Sequence, residues 1–218
     1  MLYEELQQDA QVAELLKKGN RDLGVLGFTD HSVAHTTLVA ERAAYILRKL
    51  GYSEREQELA KIAGLLHDIG NSVNRTHHAE YGALLAWDIL RDKPLTLVER
   101  VTVISAIGNH DEGTAVPVNA VAAALILADK SDVRRSRVRN QDITSFDIHD
   151  RVNYSVVDSS LHLEPEDKTI TLSITIDTEI CAVMNYFEIF LGRMVLCRRA
   201  ANYLGLTFKL DINGQTLL

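Results

Sequence analysis

In the stretch Leu65-Leu66-His67-Asp68-Ile69-Gly70 an apolar helical run ends on two ionisable side chains. Such a pair on its own suits any exposed helix end, so its surroundings decide what it means. Upstream, Ser53 and Glu56 fit a capping box, in which a hydroxyl and an acid three residues on satisfy orphan backbone donors. Thr96 and Glu99 repeat the pattern downstream. Gly19 and Gly51 stand where helix C-termini favour a left-handed residue. Pro94 closes a helical segment over 78–91, and Pro117 opens one over 118–130. These signals predict six helices between Tyr3 and about Arg135.

Beyond Gln141 the period changes. Ile170, Leu172, Ile174 and Ile176 alternate with Thr171, Ser173 and Thr175, the signature of a half-buried strand. A turn over 164–167 with Pro165 links it to an earlier strand over 152–163. A long helix over 179–204 follows, then a strand over 206–212. The expected fold is mainly α: a helical bundle over 1–140, with a small α+β (β-β-α-β) subdomain over 141–218 packed on it.

The chain has 218 residues, 46% hydrophobic content and a formal charge of −7. That length can bury a main core with an appendage. The acidic balance argues against general nucleic-acid binding, which rests on basic residues neutralising phosphates. The acidic start of the chain has no leader-like pattern, so a cytoplasmic location is expected. Of the two most apolar stretches, 115–128 is too short for a membrane helix, and 180–197 carries Asn185, Glu188 and Arg193. Cys181 and Cys197 read as lying on one helix, too far apart to bridge, and as reduced packing residues.

Asp129 continues the buried face of Val118, Val121, Ala122 and Leu125. A carboxylate there has to be protonated, ion-paired or bound to a cation, because an unpartnered buried charge is strongly unfavourable. His35 heads the apolar stripe of Leu38, Val39, Ala43 and Ile46, where a histidine satisfied by a backbone carbonyl would look the same. His77 with His78, and His110, lie at further helix ends. Imidazole and carboxylate together suit Fe, Mn, Co, Ni or Zn, with Mg as a further option. No thiolate set exists for a Cys-rich zinc site. His31, a turn from His35, is placed at the rim. His149 with Asp150 is read as a surface pair.

With these residues in view, the chain resembles the His-Asp (HD) superfamily of metal-dependent phosphohydrolases. His35 in His-Thr-Thr-Leu-Val-Ala-Glu-Arg, the His67-Asp68 dyad, and Asp129 in Leu-Ala-Asp-Lys match its pattern over residues 27–138. The likeness is nearest to bacterial members that hydrolyse dinucleoside polyphosphates such as diadenosine tetraphosphate. It implies an HD-type bundle with His35, His67, Asp68 and Asp129 as metal ligands. His78 and His110 would serve a second ion, contact phosphate or protonate the leaving oxygen, which with Asp68 makes them the catalytic set. Asn71 stands where many relatives carry Lys, and Arg75 is its substitute. Lys130, Arg134 and Arg135, in a basic run with Arg137 and Arg139, are candidates for binding substrate phosphate.

The activity so implied is hydrolysis of a phosphoester or phosphoanhydride, in a nucleotide or similar small phosphorylated metabolite, by a hydroxide activated on one or two divalent ions. A catalytically weak, nucleotide-binding regulatory module of the same fold is the alternative. The expected partner is the small phosphorylated substrate, with no membrane and no general nucleic-acid binding, and a homodimer stays open.

Overall fold

Asp9 breaks the N-terminal helical stretch in two by accepting from the backbone amides of Gln11 and Val12. A computed structural model, which describes residues 1–217, therefore starts with α1 (Leu2–Gln7) and α2 (Ala10–Val25). Next come α3 (Val33–Lys49), α4 (Glu54–Leu66), a 3-10 turn over Ile69–Ser72, α5 (His78–Ile89), α6 (Leu97–Gly108) and α7 (Ala120–Lys130). That is one helix more than the sequence predicted before Arg135. Both capping boxes form as read, at Ser53 with Glu56 and at Thr96 with Glu99. Gly51 is left-handed at φ 78°, but Gly19 is no helix end. It lies inside α2, where a Cβ would come within 3.0 Å of the Ser72 amide, so it is small to let α2 touch the 3-10 turn.

Helix α7 is the axis of the bundle. Every residue from Val121 to Lys130 is buried, and α3, α4, α6 and α9 pack around it. Its run of alanines with Leu125, Ile126 and Leu127 is apolar on all sides, as a helix enclosed by neighbours must be. Helices α3 and α4 meet closely because residue 64 is glycine: a Cβ there would stand 2.5 Å from Ala40 Cα.

The tail holds α8 (Ile148–Ser155), β1 (Val156–Glu164), β2 (Thr169–Ile176), α9 (Val183–Tyr203), β3 (Thr207–Ile212) and β4 (Gln215–Thr216). The strand expected over 152–163 thus begins later. Val152, Tyr154 and Val156 alternate with Asn153 and Ser155 like a strand, but the Asp147 side chain accepts from the Asp150 amide and starts a helix instead. The sheet order is β1-β2-β3-β4, with β2 and β3 parallel and the outer pairs antiparallel. Parallel neighbours need a crossover, and α9 supplies it. The short β4, absent from the sequence reading, is turned back by Asn213 and Gly214, both at positive φ, the favoured chemistry of a two-residue hairpin.

Tyr186, Phe190, Met194, Cys197 and Ala201 form the buried stripe of α9. Cys181 precedes the helix rather than lying on it, and both cysteines are free and buried. The apolar core is continuous from Leu2 to Ile212, across residue 140. Residue 218, the last of the expected segment 141–218, lies outside the described residues. Among those described, no helix is long and apolar enough to cross a membrane.

Candidate metal centre

Three helices deliver four polar side chains to one buried point. His35 sits in the first turn of α3, His67 and Asp68 close α4, and Asp129 lies in the last turn of α7. Each has its outer atom occupied. His35 Nδ1–H donates to Asp132 Oδ2 at 2.7 Å, and His67 Nδ1–H donates to the Gly64 carbonyl at 2.8 Å. Asn71 Nδ2 donates to Asp68 Oδ1 at 2.8 Å, and Lys130 Nζ pairs with Asp129 Oδ2 at 2.7 Å.

The inner atoms face one another. His35 Nε2 is 3.3 Å from Asp129 Oδ1 and 3.6 Å from Asp68 Oδ2. His67 Nε2 is 3.3 Å from Asp68 Oδ2 and 3.7 Å from Asp129 Oδ1. His35 Nε2, His67 Nε2 and Asp68 Oδ2 are buried with no hydrogen-bond partner. Orphaned buried polar atoms are costly, and a native fold keeps them for a reason. The spacing supplies one, because ligand atoms held at ~2.1 Å from a shared ion at tetrahedral angles stand roughly 3.4 Å apart. Two groups, His35-His67-Asp129 and His67-Asp68-His110, bring their ligating atoms within 4.8 Å of one another. The residues present fit a divalent cation.

His78 opens α5 and His110 follows α6, both buried. Their Nδ1 atoms lie 3.1 Å from the Arg75 carbonyl and 2.6 Å from the Ile107 carbonyl. A carbonyl only accepts, so the ring protons are on Nδ1. The two Nε2 lone pairs then confront each other at 3.2 Å. Burial, with His67, His78 and Lys130 nearby, lowers the His110 pKa to about 3. Burial and Arg75 lower that of His78, against Asp68. Both rings are therefore neutral near pH 7, and no proton bridges them. Burial opposes ionisation of Asp68 and Asp129, but the adjacent imidazoles, and Lys130 beside Asp129, hold both carboxyls well below the usual range.

These groups open into a cavity of about 430 Å³, the size of a small-ligand site. Arg75, Lys130 and His31 line it. Arg134 and Arg135 are not among the lining residues. Arg134 turns to Asp132, while Arg135 Nε donates to the Tyr154 carbonyl at 2.6 Å with its guanidinium over that ring. Arg137 and Arg193 line the cavity instead. His149 is exposed and Asp150 half-buried, as a surface pair should be, and both also line the cavity from α8.

Sequence reasoning missed Asp132, although its place three residues after Asp129 on the way out of α7 was a usable signal. It also passed over Arg193, a lone cation between Phe190 and Met194 on an apolar helix.

The chain belongs to the HD domain family, whose model matches residues 33–151, more than half its length. That superfamily comprises metal-dependent phosphohydrolases, and HD domains bind divalent metals. An uncharacterized protein of Methanocaldococcus jannaschii is 27% identical, covering 97% of this chain and 89% of that one. Ribonuclease Y of Sulfurovum sp. is 32% identical over 61% of this chain, and ribonuclease Y of Aliarcobacter butzleri likewise 32% over 61%. The chain spans 24% of the length of each of these two enzymes. The crystal structure of an HD superfamily hydrolase from an uncultured Thermotogales bacterium superposes with a TM-score of 0.46 at 24% identity, over 62% of this chain and 75% of that one.

Proposed function

We propose that the protein hydrolyses a phosphoester or phosphoanhydride bond in a small phosphorylated metabolite of the cytoplasm, a nucleotide or a close relative. His35, His67, Asp68 and Asp129 would hold a divalent ion, and His78 and His110 with Asp68 a second. The observation that carries the reading is the convergence of His35 Nε2, His67 Nε2 and Asp68 Oδ2, buried and unpartnered, on Asp129 Oδ1, with the outer atom of each of the four side chains satisfied. A bound divalent ion lowers the pKa of a coordinated water and neutralises phosphoryl charge.

The chain's own residues do the rest. Asp132 and the Gly64 carbonyl fix the tautomers of His35 and His67, leaving Nε2 free for the cation. Asn71 holds Asp68 in place, and Lys130 sets the orientation of Asp129. Arg75 Nη1, 3.4 Å from His78 Nε2, and Lys130 put positive charge beside the anion.

The test is metal analysis of the purified protein together with hydrolysis of an aryl phosphate and of a panel of phosphorylated compounds. The panel includes diadenosine tetraphosphate, for the likeness noted in the sequence, and a short oligoribonucleotide, for the two ribonuclease relatives. Bound transition metal and turnover abolished by Asp68→Ala are expected. Metal-free protein unaffected by that substitution would overturn the reading. Tight nucleotide binding without product would favour the regulatory module.

A further inference from the structure

Arg193 lies in α9, outside residues 33–151, so the family pattern neither requires nor explains it. Four features prepare it for a ligand. Its guanidinium carbon is 4.0 Å from the centre of the Phe190 ring, and its Nε donates to Glu112 Oε1 at 2.8 Å. Its side chain is only 20% exposed and lines the cavity. Among the described residues the two Nη groups have no hydrogen-bond partner. In contrast, Arg137 spends Nε and Nη1 on the carbonyls of Asp30 and Asp132. A planar cation pinned on one edge and one face, with its other donors free, is a preorganised fork for an oxyanion.

Its position says which anion. Glu112 Oε1 lies between Arg193 and Lys130, whose Nζ is 3.8 Å away, and Lys130 in turn pairs with Asp129. Asp129, Lys130, Glu112 and Arg193 thus form a line of alternating charge leading away from the convergent atoms. Lys130 is placed to meet an anion at those atoms, and Arg193 meets one a step further along.

We infer that Arg193 is a specificity-determining residue that binds a second phosphoryl group of the substrate, so that the site selects compounds with two linked phosphoryl groups over monophosphates. Glu112 holds the fork in place and offsets its charge until the anion arrives. This inference rests on the proposed phosphohydrolase reading.

The experiment titrates manganese-loaded full-length protein with methylenediphosphonate and with methylphosphonate by calorimetry. Arg193→Gln is expected to weaken methylenediphosphonate on the order of tenfold or more while changing methylphosphonate by less than about twofold. Arg193→Lys should retain part of the difference. Glu112→Gln should tighten methylenediphosphonate, and the gain should vanish in the double variant. Equal effects of Arg193→Gln on both probes, or no effect on either, would overturn the inference alone. Should Arg193→Gln fail to fold, Glu112→Gln decides, and unchanged or weaker methylenediphosphonate binding sinks the idea. If neither probe binds the unaltered protein, the phosphohydrolase reading falls and takes this inference with it.

Discussion

Replacing Gly70 with alanine tests how the site is built, because two backbones touch there. Gly70 sits in the 3-10 turn directly after Asp68, and an added Cβ would lie 1.9 Å from the His78 carbonyl oxygen and 2.5 Å from the Gly82 amide. Ordinary contact begins near 3.4 Å, so the first turn of α5 has to retreat by about 1.5 Å. No side-chain rotation relieves a clash with main-chain atoms. Overpacking of this kind costs about 1–3 kcal/mol, and backbone collision puts it at the upper end. For a chain of this size each kcal/mol lowers Tm by roughly 2–4 °C, so a fall of about 5–10 °C is expected. The same retreat draws His78 Nε2 away from His110 Nε2, now 3.2 Å apart, and turnover of the aryl phosphate should drop with it. Thermal denaturation followed by circular dichroism measures the first effect and steady-state kinetics the second. Gly192→Ala is the control, since a Cβ there meets nothing within 4 Å and a helix interior prefers alanine by roughly 0.5–1 kcal/mol. A Gly70→Ala protein that melts within about 1 °C of the unaltered one would refute the reasoning.

Asp132→Asn removes the carboxylate that receives His35 Nδ1–H, and manganese affinity by calorimetry should fall about 10- to 100-fold, with an unchanged affinity counting against the assigned role. Glu99, held by Arg55 and by the Thr96 amide, has its pKa lowered to about 2. Its contribution to stability is therefore complete above its ordinary value near 4.5 and is lost as pH falls towards 2. Glu99→Gln should cost about 0.5–1 kcal/mol at neutral pH, and the difference in Tm from the unaltered protein should shrink between pH 5 and pH 3. A gap that stays constant over that interval would show that the ion pair contributes nothing.

What the sequence disclosed follows the range of the interactions. Ser53 with Glu56 and Thr96 with Glu99 act over three residues, so both helix starts were legible. Asp129 was legible as an anomaly, a carboxylate on an apolar helical face, and its burial in α7 agrees with that reading. The partnerships that complete the cavity are of another kind. His35 and Asp132 are 97 residues apart, and Arg193 and Glu112 are 81 apart, separations at which spacing carries no information. The basic run after α7 misled for the same reason. Neighbours in sequence, Arg134, Arg135 and Arg137 diverge to a carboxylate, a distant carbonyl and the cavity respectively. At α8 two local signals conflicted, and one side-chain acceptor outweighed a strand-like alternation.

Because β2 and β3 run in the same direction, the polypeptide has to travel the length of the sheet between them, and α9 makes that journey. Its slide along α7 is thereby indexed to the ladder from Thr169 opposite Thr207 to Ile174 opposite Ile212. A residue inserted or deleted inside α9 would not be absorbed as a longer or shorter loop. It would rotate every side chain beyond it by about 100° and swing the guanidinium of residue 193, or the stripe that anchors it, out of register with the cavity.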